Sequence, residues 1–211
     1  MVPKTGIIIR GTGLLLQLKK RNATKYVFPI ANEKYWKTKN GKMIIEFAGV
    51  GGKPKGKETL LEAVLREALE ETGCEAKLRH SFKTVTLDFQ RGETFRRTLK
   101  ANPAPFLKTK KLIQTDSGPR LLYNPIWAGS LAGKPKPSAE VPALLFLTDD
   151  LVAQTAKKDI RLKDILKLGG ELIEARHIPR NAVIKPFGTP EDVVKAFGEK
   201  FGNKIRKLVS S

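Results

Sequence analysis

Along its first third the chain sets apolar against polar positions with a period close to two, which predicts strands at 7–10, 14–18, 26–30 and 43–47. Gly11-Thr12-Gly13 supplies the turn between the first two, and Asn40-Gly41 is a hairpin signal ahead of the fourth. A glycine-rich loop (Gly49, Gly51, Gly52, Gly56) follows, and then the period changes. Leu61, Val64, Leu65 and Ala68 recur at i, i+3, i+4 and i+7, which predicts a helix from about Glu58 to Thr72, with Gly73 placed to cap its end.

Strand-like runs resume at 78–80, 83–89 and 94–99. The next stretch, about 101–140, is interrupted by Pro103, Pro105, Pro119, Pro125, Pro135 and Pro137 and reads as an insertion or long loop, with a short strand pair at 121–123 and 126–127 as its one regular part. A buried strand is expected at 143–147, helical pattern at 151–157 and 160–168, and a strand at 172–178. A closing helix is expected at 190–208, with Thr189 as N-cap and Pro190 at its first position. Strands and helices mix without a βαβ rhythm, and no repeat is present. The reading is one domain over 1–211, carrying the 101–140 insertion and a helical C-terminal extension from about 150.

With 211 residues the chain is long enough to bury a substantial core and short for two full domains. Its 40% hydrophobic and 29% charged residues fit a soluble globular protein. Cys74 is the single cysteine, which rules out an intramolecular disulfide or a multi-thiolate zinc site and fits a reducing, cytoplasmic setting. The apolar run at 7–9 stops at Arg10, far short of a membrane span.

A formal net charge of +19 predicts attraction to anions. Its distribution says more. Residues 1–57 hold 13 basic and 2 acidic side chains, whereas residues 58–75 hold Arg66 against six glutamates. Such an acidic island in a basic chain is self-repelling unless cations neutralise it, so it points to a metal site. Glu67, Glu70 and Glu71 stand at i, i+3 and i+4, on one helix face. Hard oxygen donors of this kind suit Mg²⁺ or Mn²⁺. Arg66 lies four residues from both Glu62 and Glu70 and can brace them.

The segment Gly52 to Cys74 resembles the Nudix box, G-x5-E-x7-R-E-U-x-E-E-x-G-U with U apolar, and matches all seven fixed positions at Gly52, Glu58, Arg66, Glu67, Glu70, Glu71 and Gly73. Ala68 is small for its apolar slot, and Val50 stands where related sequences often carry proline. The resemblance implies an α+β fold, an α/β/α sandwich around a mixed sheet, with a loop–helix–loop metal site. It implies that Glu67, Glu70, Glu71 and the backbone carbonyl of Gly52 bind Mg²⁺ (or Mn²⁺), with Glu58 and Arg66 supporting. The implied reaction is attack of water on one phosphorus of a diphosphate in a nucleotide-like substrate. The general base stays open among Glu67, Glu93 and Glu140. Lys53, Lys55 and Lys57 are placed to meet substrate phosphates, His80 and His177 read as structural, and the substrate-binding residues and substrate identity are unassigned.

The alternative is a basic nucleotide- or RNA-binding protein with a catalytically silent Nudix fold. Against it, aromatics are 7% of residues and no RRM-like, KH-like or zinc-finger pattern is present. A homodimer stays open, and no membrane partner is expected.

Overall fold

The computed structural model describes residues 8–20, 23–98, 100–116 and 118–210. Ile7 and Leu99, each at the end of an expected strand, lie outside them. The first strands are β1 (Ile8–Arg10), β2 (Gly13–Lys20), β3 (Ala23–Pro29), β4 (Lys37–Lys39) and β5 (Lys42–Ala48). The helix α1 (Leu60–Thr72) follows. Next come β6 (Ala76–Arg79), β7 (Thr84–Asp88), β8 (Glu93–Arg97), β9 (Leu107–Thr115), β10 (Gly118–Leu131) and β11 (Ala143–Leu147). The last part holds α2 (Asp149–Lys157), β12 (Ile160–Arg161), α3 (Leu162–Lys167), β13 (Glu171–Glu174), β14 (Val183–Phe187), α4 (Thr189–Phe197) and α5 (Phe201–Arg206).

Ten strands form a mixed sheet in the order β13-β11-β3-β2-β10-β9-β7-β8, with β1 and β6 also paired to β10. A second sheet runs β12-β14-β5-β4. Period-two alternation explains the layering. Within Leu14-Leu15-Leu16, Leu14 and Leu16 join a cluster with Val64 and Ala68 of α1, while Leu15 joins the larger cluster on the opposite face. The same split divides β11, with Leu144 and Phe146 facing α1 and Leu145 and Leu147 facing away. Runs that are apolar at every position are thus buried on both faces, with α1 on one side and the second sheet with α2, α4 and α5 on the other. Phe28 of β3 meets Phe47 of β5 across this second interface, ring centroids 5.1 Å apart.

Asn40 and Gly41 take positive φ (51° and 69°) between β4 and β5, the conformation a two-residue hairpin requires. The expected helix starts two residues later than its apolar spacing suggested. Thr59 accepts from the Glu62 N–H while Glu62 reaches back to the Thr59 N–H, a reciprocal cap that leaves Glu58 in the preceding loop. Gly73 closes the helix in the left-handed conformation, φ 64°.

The largest correction concerns 101–140. It is not an irregular loop: it contains β9 and the 14-residue β10, the strand on which the ten-stranded sheet is built. Proline misled because its cost depends on register. Pro125 falls between Tyr123, the last partner of β1, and Ile126, the first partner of β2. Its missing N–H therefore faces a gap in the ladder. The expected closing helix is two, parted at Gly198 (φ 78°), and the N-cap is Gly188, with Thr189 inside the helix. The expected strand at 172–178 ends at Glu174, and β14 was hidden by Pro186. No described helix is long and apolar enough to cross a membrane.

Candidate active site

The site is built by the loop joining β5 to α1 and by the polar face of α1. The loop is fastened to β2 through its backbone: the Leu14 N–H donates to the Val50 carbonyl (2.7 Å), and the Thr12 N–H to the Gly52 carbonyl (3.0 Å). Two glycines make close approach unavoidable. A Cβ on Gly51 would stand 2.1 Å from the Thr12 carbonyl oxygen, and one on Gly52 would stand 2.3 Å from Glu67 Oε1. The loop therefore presses directly on the first of the expected metal-binding glutamates, and any side chain at Gly52 would push the Glu67 carboxylate aside.

Arg66 organises the carboxylates. Its Nε and Nη2 take the two oxygens of Glu58 at 2.8 and 3.2 Å, a fork geometry that lysine could not reproduce. Nη1 donates to Glu67 Oε1 (2.8 Å) and Glu70 Oε2 (2.6 Å), and Nη2 also reaches the Lys53 carbonyl (3.2 Å). Glu58 is held from the other side by the Lys55 N–H (2.7 Å). The Arg66 hydrogen bonds, followed by that backbone bond, keep the Glu58 carboxyl below its usual range. The pairing expected of Arg66 with Glu62 does not form, because Glu62 is engaged in the helix cap.

Glu71 differs from its neighbours. It is largely buried, and burial first, then the charge of Glu67, push its carboxyl up to about 8. A hydrogen bond from the Gly51 backbone pulls the other way, and Glu140 and Glu70 add to the rise. Its Oε2 is buried without a hydrogen-bond partner. An orphaned carboxylate oxygen beside two other carboxylates is a position that a cation would satisfy, so the donor set fits a hard divalent ion. Among the described residues no three Asp, Glu, His or Cys side chains are gathered closely enough to form a ready-made cage. Arg66 draws one oxygen each of Glu67 and Glu70 toward itself. The Gly52 carbonyl, the expected loop ligand, is already bonded to Thr12 and keeps one lone pair for another partner.

The family model that matches this chain is that of the NUDIX domain, over residues 3–114. The chain belongs to the Nudix family. The matched segment spans β1 through most of β9, so it contains the whole box, whereas β10 lies beyond it. Among solved structures, the chain is similar to the E. coli ORF135 protein at 17% identity, with 70% of this chain and 78% of that one covered and a TM-score of 0.43. A NUDIX hydrolase from Nitrosomonas europaea is similar at 11% identity, with 70% and 77% covered and a TM-score of 0.43. The C. elegans Ap4A hydrolase is similar at 11% identity, with 70% and 86% covered and a TM-score of 0.41. No curated protein matches. Nudix membership supports a hydrolase of the pyrophosphohydrolase type.

Of the two downstream glutamates considered as general base, Glu140 is near enough for its charge to raise Glu71, whereas Glu93 sits on β8, the far edge strand of the sheet. Sequence reasoning left the substrate residues of this Nudix chain open, and the fold supplies a candidate. A cleft of about 530 Å³ lies between the N-terminus of α1 and the sheet, lined by Glu58, Leu60, Lys108, Tyr123, Pro125 and Trp127 among others. It shares Glu58 with the Arg66 network. Trp127 is anchored by its indole N–H on the Pro103 carbonyl (3.0 Å). The one signal in the sequence was the pair of aromatics in a proline-rich stretch, which carries no position until β10 is seen to pass under α1.

The Gly52 contact yields a prediction. Gly52→Ala should displace Glu67 and lower kcat/KM by about 100-fold, since a shift near 1 Å in a catalytic constellation has that cost, while the melting temperature changes little. Steady-state kinetics beside thermal unfolding checks both halves.

Proposed function

We propose that this chain is a Mg²⁺-dependent Nudix hydrolase that cleaves a diphosphate linkage in a nucleoside diphosphate joined to a further group. The observation that carries the reading is the orphaned, buried Glu71 carboxylate beside Glu67 and Glu70, fastened by Arg66. Glu67, Glu70 and Glu71, with the Gly52 carbonyl, would hold the metal, with Mn²⁺ an alternative. Bound there, the metal supplies Lewis acidity toward the phosphoryl oxygens and lowers the pKa of coordinated water.

The residues of the chain do the rest by position and charge, which dominate phosphoryl transfer. Arg66 and Glu58 keep Glu67 and Glu70 in one place through the reaction. Lys55, 3.4 Å from Glu70, and the exposed Lys53 and Lys57 surround the loop with positive charge that attracts substrate phosphates. Glu140, whose charge acts on Glu71, is the favoured base for the attacking water over Glu93. Water's oxygen bonds to one phosphorus, the anhydride P–O bond breaks, and the water proton passes to the base. The cleft beside Glu58 receives the nucleoside.

The test is hydrolysis of a panel of nucleoside diphosphate compounds with Mg²⁺, Mn²⁺ or EDTA. Cleavage should appear with either metal and vanish in EDTA, with the preferred compound naming the substrate. Cleavage that persists in EDTA would overturn the metal assignment, and no cleavage of any compound would favour a silent, nucleotide-binding fold.

A further inference from the structure

Hydrolysis of a small diphosphate draws on the few lysines beside the loop and leaves most of the +19 charge, and the open half of the large sheet, without a role. Strand register shows what that half displays. In β7, β8, β9 and β10 the paired positions Thr86–Phe95, Thr86–Lys108 and Lys110–Tyr123 place their side chains on one face, and Arg97 and Leu112 share it by alternation. Trp127 shares it too, where the N-terminus of α1 covers the sheet. The opposite face carries Val85, Leu87, Leu107 and Ile126 into the core. Beyond α1 the displayed face is open, with Phe95 40% and Leu112 43% exposed.

Cations stand on the rings of this face. The Arg97 guanidinium lies 5.2 Å from the centroid of Phe95, and Lys108 Nζ lies 5.5 Å from that of Tyr123. Lys108 makes no ion pair among the described residues; of the two carboxylates on the face, Asp88 is matched by Lys110 at 3.4 Å, and Glu93, two residues before Phe95, stands exposed at the start of β8. Lys108 and Tyr123 also line the cleft that contains Glu58, and the exposed Lys53 and Lys57 flank that cleft on the loop side. Two cation–ring pairs thus lie outward of the carboxylate site, Lys108 with Tyr123 on β9 and β10 and Arg97 with Phe95 on β8, with Thr86 of β7 between them. Aromatic faces accept bases of any sequence and cations track the phosphates, the combination that binds a single strand.

We propose that the substrate is the phosphorylated end of a single-stranded polynucleotide, its diphosphate or triphosphate in the carboxylate site and its following nucleotides lying across this face. The inference rests on the hydrolase reading and deepens it. With a 5′-triphosphate end, water adds to one phosphorus, the anhydride bond breaks, and the products are a 5′-monophosphate strand and pyrophosphate, with protons released.

The experiment separates the two claims by measuring binding and hydrolysis independently. Binding is read by fluorescence anisotropy in EDTA, using a labelled RNA strand of about 12 nucleotides with a 5′-triphosphate, a length within the reach of one such face. The wild type should bind it more tightly than a nucleoside triphosphate or a blunt duplex of equal length. Phe95→Ala with Arg97→Ala, both exposed edge-strand changes, should weaken strand binding about tenfold by removing one stacking platform. The same change should flatten the salt dependence by about 0.7 in log–log slope for the lost phosphate contact. Hydrolysis of the best small diphosphate should be unchanged by it. Strand binding that ignores the double substitution, or duplex binding of equal strength, overturns the proposal while leaving the hydrolase intact. Strand binding that depends on the face while every anhydride, the strand's own included, resists cleavage overturns the hydrolase reading and with it the strand end as substrate.

Discussion

Glu71→Gln should lower kcat/KM for the best diphosphate substrate by about 10² to 10³-fold, the scale on which a single preorganised charge contact acts in a water-poor site, and should make the metal-free protein more stable at pH 8. The two effects share one cause. The folded state holds the Glu71 carboxyl at about 8, above the ordinary carboxyl value near 4.5 that it regains on unfolding. The folded protein therefore binds the extra proton between those values, so stability falls as pH rises from about 4.5 and levels off above 8. At pH 8 most of that penalty is present, on the order of 4 kcal/mol. Glutamine is nearly isosteric and carries no proton to lose. The melting temperature of the variant minus that of wild type should be close to zero near pH 4.5 and grow steadily to pH 8. Saturating Mg²⁺ should raise the wild-type melting temperature at pH 8 and leave the variant nearly unmoved, because a cation held at the proposed site would take the place of the proton on the orphaned oxygen. A difference that is flat with pH would mean that Glu71 is already ionised and paired in the free protein.

Arg66→Ala carries the second large effect and acts on structure first. Arg66 serves Glu58, Glu67, Glu70 and the Lys53 carbonyl at once, so its removal strands three carboxylates around one empty volume. Hydrogen bonds to charged groups contribute most where water is excluded, and solvent screening reduces the contribution of these partly exposed ones, so the loss is a lowered denaturation midpoint and not a failure to fold. Chemical denaturation should report that loss at neutral pH. Glu58 supplies the pH signature, because Arg66 holds its carboxyl below the usual value. Stability from that pair is present above the unfolded value and disappears as pH falls through the folded one. The gap between wild type and Arg66→Ala should therefore narrow below about pH 4. Arg66→Lys should recover part of the stability and little of the activity, since a single ammonium cannot take both oxygens of Glu58 while reaching Glu67 and Glu70. Activity that survives in Arg66→Ala would show that the metal alone can gather the glutamates.

How much could be read without coordinates varied by element, for physical reasons that differ. The strands around Leu14-Leu15-Leu16 and 143–147 were legible because a strand buried on both faces is apolar at every position. The helix α1 was legible from its stripe and its Gly73 stop, but its first residue was misplaced, since the capping pair Thr59 and Glu62 outweighs apolar spacing at a helix start. The 101–140 stretch was misread because proline is excluded from a ladder only where its N–H is needed, and need is set by which strands lie alongside. The break at Gly198 was likewise overlooked, since α4 and α5 each bury their own apolar residues, Val193 and Phe197 in one and Phe201 and Ile205 in the other.

By itself the sequence determined the chemistry that the site can offer: a spacing that stacks Glu67, Glu70 and Glu71 on one helix face, an arginine within reach of them, and glycines where a loop must press close. These are short-range matters, settled by 3.6 residues per turn and by the absence of a Cβ. Tertiary structure alone decided which glutamate is buried and orphaned, that Arg66 pairs with Glu58 and not Glu62, that Glu140 approaches the cluster while Glu93 does not, and that β10 carries Tyr123 and Trp127 beneath α1. Burial, long-range charge and strand neighbours depend on residues distant in the chain, and no local pattern encodes them.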